Sequence, residues 1–135
     1  MFAMKLERLI SYFSSSPSAK LLRSPHAAHI VCILESQFKS SGSITNPHSL
    51  LQRLAEFQET IHQSNSDVLR DRPEIYLINW STGDSRWLRR FHDVEHAESV
   101  YELTPHTEEV LKFLNDVIQR SLGFVGTESR LKPVD

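Results

Sequence analysis

The sequence predicts an α+β fold that is mostly α: a winged-helix domain with a β-hairpin wing and extra terminal helices. Three observations carry this expectation. A short polar residue stands before proline at Ser24-Pro25, Asn46-Pro47 and Thr104-Pro105. Such a pair starts a helix, because the polar side chain accepts a bond from a free first-turn amide and proline at the first position gives up no bond. Apolar residues recur every three or four positions behind these starts, as on one face of a helix. Ahead of the last helical stretch lie two short segments rich in Trp, Phe, Val and Tyr, joined by a charged loop, which reads as a hairpin.

In chain order, the first helix covers about Met4 to Phe13, with Leu6, Leu9, Ile10 and Phe13 on one face. Ser14–Ser18 reads as a short loop. The second helix runs from Pro25 to about Lys39, and its wide apolar set of Ala27, Ile30, Val31, Ile33, Leu34 and Phe38 marks it as the central, most buried one. Ser40–Thr45 is a polar turn around Ile44, the short extended piece of the order. The third helix starts at Pro47 and carries Leu50, Leu54, Phe57 and Ile61.

Asp71-Arg72-Pro73-Glu74 resembles a capping box, with Asp71 as cap and Glu74 reaching back. Ile75–Ile78 fits a strand as well as a helix, and the capping signal together with Gly83 favours a helix to about Thr82. Arg86–His92 and Ser99–Leu103 form the hairpin, with Asp93–Glu98 between them. The final helix runs from Pro105 to about Ser121 on a buried stripe of Val110, Leu111, Leu114, Val117 and Ile118. The expected organisation is a winged-helix-like domain over 1–122 and a tail over 123–135 that leads into a further region. A tri-helical core followed by a β-hairpin is what a winged helix requires.

Composition narrows the function classes. A 39% hydrophobic and 24% charged chain of 135 residues can build one core without metal or disulfide staples. No apolar run approaches the length of a membrane span. Met1–Phe13 is interrupted by Lys5, Glu7 and Arg8, unlike the unbroken apolar core of a secretory signal. A single cysteine, Cys32, excludes a disulfide within the chain, and the sequence expects it to be a small buried hydrophobe. These features point to the cytoplasm. The net charge of −2 argues against strong DNA binding as the main task, since phosphate contacts supply much of such affinity.

Four stretches taken together carry a resemblance. They are Leu22-Arg23-Ser24-Pro25-His26-Ala27-Ala28, Trp80 with Trp87-Leu88-Arg89-Arg90, Tyr101-Glu102-Leu103-Thr104-Pro105, and Phe124-Val125-Gly126-Thr127-Glu128-Ser129-Arg130-Leu131. In order and spacing the chain resembles, from about Leu21 to Leu131, the N-terminal region of the JetA family. Those proteins are kleisin-like subunits of the bacterial Wadjet system, related to MukF-type condensin subunits. The resemblance implies an N-terminal fragment of a longer, nucleoid-associated subunit whose winged-helix domain self-associates into a homodimer. It implies an SMC-like ATPase and a small kleisin-associated subunit as partners, met mostly through regions outside this chain. It implies DNA touched indirectly or weakly, and restriction of plasmid DNA as the task of the whole complex.

The residues themselves assign no catalytic site, cofactor or metal. His26 and His29 are three apart on a helix, and His92 and His96 are four apart across a turn, but a site of this type needs a third ligand. Ser129 lacks the flanking glycines of a nucleophile elbow. The third helix offers Gln52, Arg53, Glu56, Gln58 and Glu59, a poor set for phosphates. The DNA-facing candidates are Arg86, Arg89 and Arg90 on the wing, with Glu102 placed to pair with one of them and Asp93, Glu95 and Glu98 at the tip. They support a winged-helix transcriptional regulator as the alternative function. Trp80, Trp87, Phe91 and Tyr101 are hot-spot residue types, of which Trp80 is expected in the core. The dimer-interface candidates are Leu9, Tyr12 and Phe13 on the first helix.

Overall fold

The computed structural model describes residues 4–40, 44–83, 85–95 and 98–131, and their side chains apart from residues 40 and 124–131. These residues form α1 (Leu6–Ser15), α2 (Pro17–Leu22), α3 (Ala27–Ser40), β1 (Ile44–Thr45), α4 (Pro47–His62), α5 (Pro73–Ser81), β2 (Leu88–Asp93), β3 (Glu98–Leu103) and α6 (Pro105–Leu131). The architecture is α+β and mostly α, as the sequence predicts, with one small antiparallel sheet in the order β1-β3-β2.

Local chemistry explains where these elements begin. Asn46 caps α4 by accepting the Ser49 amide at 2.7 Å, with Pro47 in the first turn. The sequence's capping box does not form at α5. Arg72 occupies the cap position without a side-chain bond, and the Asp71 amide donates to the Tyr76 hydroxyl at 2.9 Å. Burial of Leu77 and Trp80 holds α5 in place instead. Before α3, Pro25 and His26 lie in a turn, so the helix begins two residues later than its polar-proline signal. Gly83 ends the α5 segment with φ +63°, a left-handed conformation that glycine adopts without strain.

The core joins α2, α3, α4, α5 and the hairpin. Leu21, Ile33, Leu34, Leu50, Leu54, Leu69 and Leu88 are fully buried. On α3 the buried set Ile30, Ile33, Leu34, Gln37 and Phe38 follows the three-and-four spacing of one helix face. Cys32 falls on the opposite side of that face and is exposed, which corrects the expectation that it is buried. The Gln58 amide, itself buried, donates to the carbonyls of Leu69 and Asp71, both at 2.7 Å. That clamp ties the 63–72 loop onto α4. The hairpin registers Leu88 with Leu103 and Arg90 with Tyr101, while Ile44 and Thr45 pair with Glu102 and Tyr101 on the other side of β3.

Two further boundaries differ from the sequence reading, and so does the burial of α6. Ser14 and Ser15 donate back to the carbonyls of Ile10 and Ser11, so α1 runs through them and the expected loop shrinks to Ser16 before α2. The last helix does not stop at Ser121 but continues to Leu131, so most of the expected tail is helical; residues 132–135 lie outside the described residues. Val117 and Ile118 are exposed, because the body packed against α6 ends near Leu114.

These contacts set two stability expectations. Gln58→Ala strips partners from two carbonyls and costs about 2 kcal/mol. Asn46→Ala loses a single cap bond and costs about 1 kcal/mol. Urea unfolding of both variants checks the order of these two losses.

Candidate functional site

Two surfaces hold the residues that the sequence singles out. The first is apolar and lies on α1, α2 and α6. No residue of α1 is buried. Leu9 is half-buried, while Ile10, Tyr12 and Phe13 are exposed, Phe13 at 60%. Tyr12 and Phe13 meet edge to face with ring centroids 5.9 Å apart. Beside them, Tyr12, Leu22, Val110 and Phe113 line a shallow groove between α1, α2 and α6. Exposed Phe113, Val117, Ile118 and Leu122 continue the apolar surface along α6. The position of α2 is fixed by two bonds: the Trp87 indole donates to the Pro17 carbonyl at 2.9 Å, and the Ser18 hydroxyl donates to the His106 carbonyl at 3.2 Å.

The sequence identified Leu9, Tyr12 and Phe13 but not Leu22, Phe113 or Leu122, and it placed Val117 and Ile118 in the core. The stripe on α6 was visible in the spacing. What spacing does not report is where a helix outruns the body that covers it.

The second surface is the cleft between α5 and the hairpin. It is lined by Ile78 of α5, by Leu88 and Tyr101 of the hairpin, and by Arg86, Arg89 and Arg90. The three arginines have different partners. Arg89 pairs with Glu102 directly across the hairpin, as the sequence allowed, and its guanidinium sits 4.4 Å from the Phe91 ring centroid. Arg90 lies 6.0 Å from the Tyr101 ring centroid, at the outer range of a cation–π contact. The Arg86 Nε donates to the Gly83 carbonyl at 3.1 Å from a backbone with φ 47°. Trp80, Trp87 and Tyr101 are all buried, so these aromatics pack the hairpin onto the helices, and Phe91 is half-buried.

The helix that precedes the hairpin is α5, whereas the sequence reading weighed base contacts on α4. Gln58 of α4 is buried in its clamp. The residues that α5 shows to solvent are Glu74, Ile78 and Asn79.

The rings of His26 and His29 meet edge to face at 6.3 Å. His92 is exposed on β2, and His96 lies outside the described residues. Among the described residues no group of three or more His, Cys, Asp or Glu side chains is placed to hold a metal ion. Ser129 falls on the backbone of α6, and its side chain lies outside the described set. Among the described residues no helix is long and apolar enough to cross a membrane.

Comparison with known proteins gives a family and one relative. An uncharacterized protein of Mycolicibacterium smegmatis is 30% identical over 120 residues, which cover 87% of this chain and 25% of that protein. The chain thus spans about a quarter of the relative's length. No solved structure matches the chain. A family model described as "Protein of unknown function (DUF3375)" matches residues 12–134, from the exposed aromatics of α1 to beyond the end of α6, and the chain belongs to that family.

Proposed function

We propose that this chain is a non-enzymatic assembly module that pairs with a second copy of itself through the apolar surface of α1 and α6. One observation carries the reading: α1 has apolar residues along its length yet buries none of them. A helix of ten residues has little stability of its own in water. Its apolar face adjoins a second exposed apolar row on α6, and contiguous apolar surface of this kind marks interaction sites. A two-fold pairing lets α1 of each chain cover the α6 row of the other with one self-complementary patch.

The order α3, β1, α4, α5, β2, β3 supports the winged-helix reading. On its resemblance to JetA proteins, we read such a module as part of a kleisin-like subunit of a bacterial SMC complex that restricts plasmid DNA, at the nucleoid in the cytoplasm. The SMC-like ATPase and the small kleisin-associated subunit are then met through regions beyond this chain. A transcriptional regulator that reads DNA through the wing is the weaker reading. Arg89 is engaged by Glu102, and α5 offers Glu74 and Ile78 where a DNA reader needs cations.

Light scattering after size exclusion tests the pairing. The expected mass is that of two chains at concentrations of about tens of micromolar, an affinity typical of a modest interface. Ile10→Asp with Phe13→Asp is expected to give the single-chain mass with an unchanged circular dichroism spectrum, because neither side chain is buried within one chain. A single-chain mass for the unaltered protein at high concentration overturns the proposal.

A further inference from the structure

We propose that the cleft between α5 and β2 captures an extended acidic segment of a partner protein, which adds as a strand to the outer edge of β2. The sheet order leaves β2 on the outside, paired through its six residues only with β3. Its other edge presents backbone donors and acceptors of the kind that recruit a further strand. Next to that edge lies a cleft of about 360 Å³. Ile78 is 59% exposed on the α5 wall, and the buried side chains of Leu88 and Tyr101 close the bottom of the cleft. An added strand points alternate side chains toward this cleft, which gives an apolar side chain a seat.

Charge selects the occupant. Among the described residues, the side chains that line the cleft include three arginines and no carboxylate. Arg89 is held by Glu102, so Arg86 and Arg90 are the cations left to bind, and among the described residues neither has an ion-pair partner. A carboxylate-bearing segment satisfies both with charge-assisted hydrogen bonds. The same arginines disfavour edge-to-edge pairing of two β2 strands, which brings Arg89 and Arg90 of one copy close to those of the other. Duplex DNA fits less well. The exposed Ile78 wall offers nothing to phosphate, and Asp93, Glu95 and Glu98 at the hairpin end repel it. The inference is independent of the α1–α6 pairing, which lies on other elements.

Fluorescence anisotropy of the intact chain with a short fluorescein-labelled peptide of alternating glutamate and valine tests the proposal. The expected result is saturable binding that fails with a lysine–valine peptide. Affinity is expected to fall at least about tenfold in Arg86→Glu with Arg90→Glu, and to be largely kept in Arg86→Lys with Arg90→Lys, with the dichroism spectrum of both unchanged. Amide exchange is expected to slow along Leu88–Asp93 when the acidic peptide binds. The proposal is overturned if the two peptides bind alike, if charge reversal leaves affinity unaltered, or if only a DNA duplex binds and is lost in the charge-reversed variant.

Discussion

Trp87 is the residue at which the elements of this domain are locked together. Its amide donates to the Trp80 carbonyl at the end of α5, at 2.8 Å. Its carbonyl accepts the Thr104 amide at 3.2 Å and the buried Thr107 hydroxyl at 2.7 Å, which joins the start of α6. Its indole reaches Pro17 at the head of α2. One residue thereby fixes the hairpin against α5, sets the first turn of α6, and anchors α2. Because Trp87 is itself buried, losing a partner such as the Thr107 hydroxyl leaves a buried polar group with its full desolvation cost. Both candidate surfaces inherit their geometry here. The cleft exists because β2 leaves Trp87 at a fixed distance from α5, and the α1 face is carried on an α2 that Trp87 holds.

The two surfaces differ in kind. The α1–α6 face is apolar and broad, formed by helices that leave the body without covering themselves. Past Leu114, α6 continues for another seventeen residues, about 25 Å of helix. The cleft is smaller, bordered by charge, and lies beside an open strand edge. Apolar surface of the first kind gains free energy by being removed from water, with little demand on direction. Backbone edges and guanidinium groups impose direction and charge sign. Under the proposed assembly role, the first would serve pairing and the second selection.

Much of the fold was legible in the residues. The Asn46-Pro47 signal forms the cap it announces, and the spacing of Leu50 and Leu54 becomes a buried face. The hairpin was readable from its aromatic strands, and so was a pairing of Glu102 with one of the wing arginines, which the register assigns to Arg89. The failures have physical causes. The Asp71–Glu74 pattern has the letters of a capping box, but Arg72 takes the cap position and Tyr76 claims the Asp71 amide. Cys32 sits in an apolar run yet falls on the wrong side of a helix whose buried arc is narrower than its apolar one. For Val117 and Ile118, periodicity locates an apolar stripe but is silent on whether anything covers it. That missing cover is the feature on which the functional reading turns.

Amide hydrogen exchange across a dilution series addresses the central claim most directly, since it reads α1 residue by residue in the unaltered protein. If a second copy covers α1, the amides of Leu6–Ser15 exchange slowly at high concentration and lose protection on dilution, while those of α3 and α4 stay protected throughout. Exchange in α1 that is fast and indifferent to concentration would contradict the account.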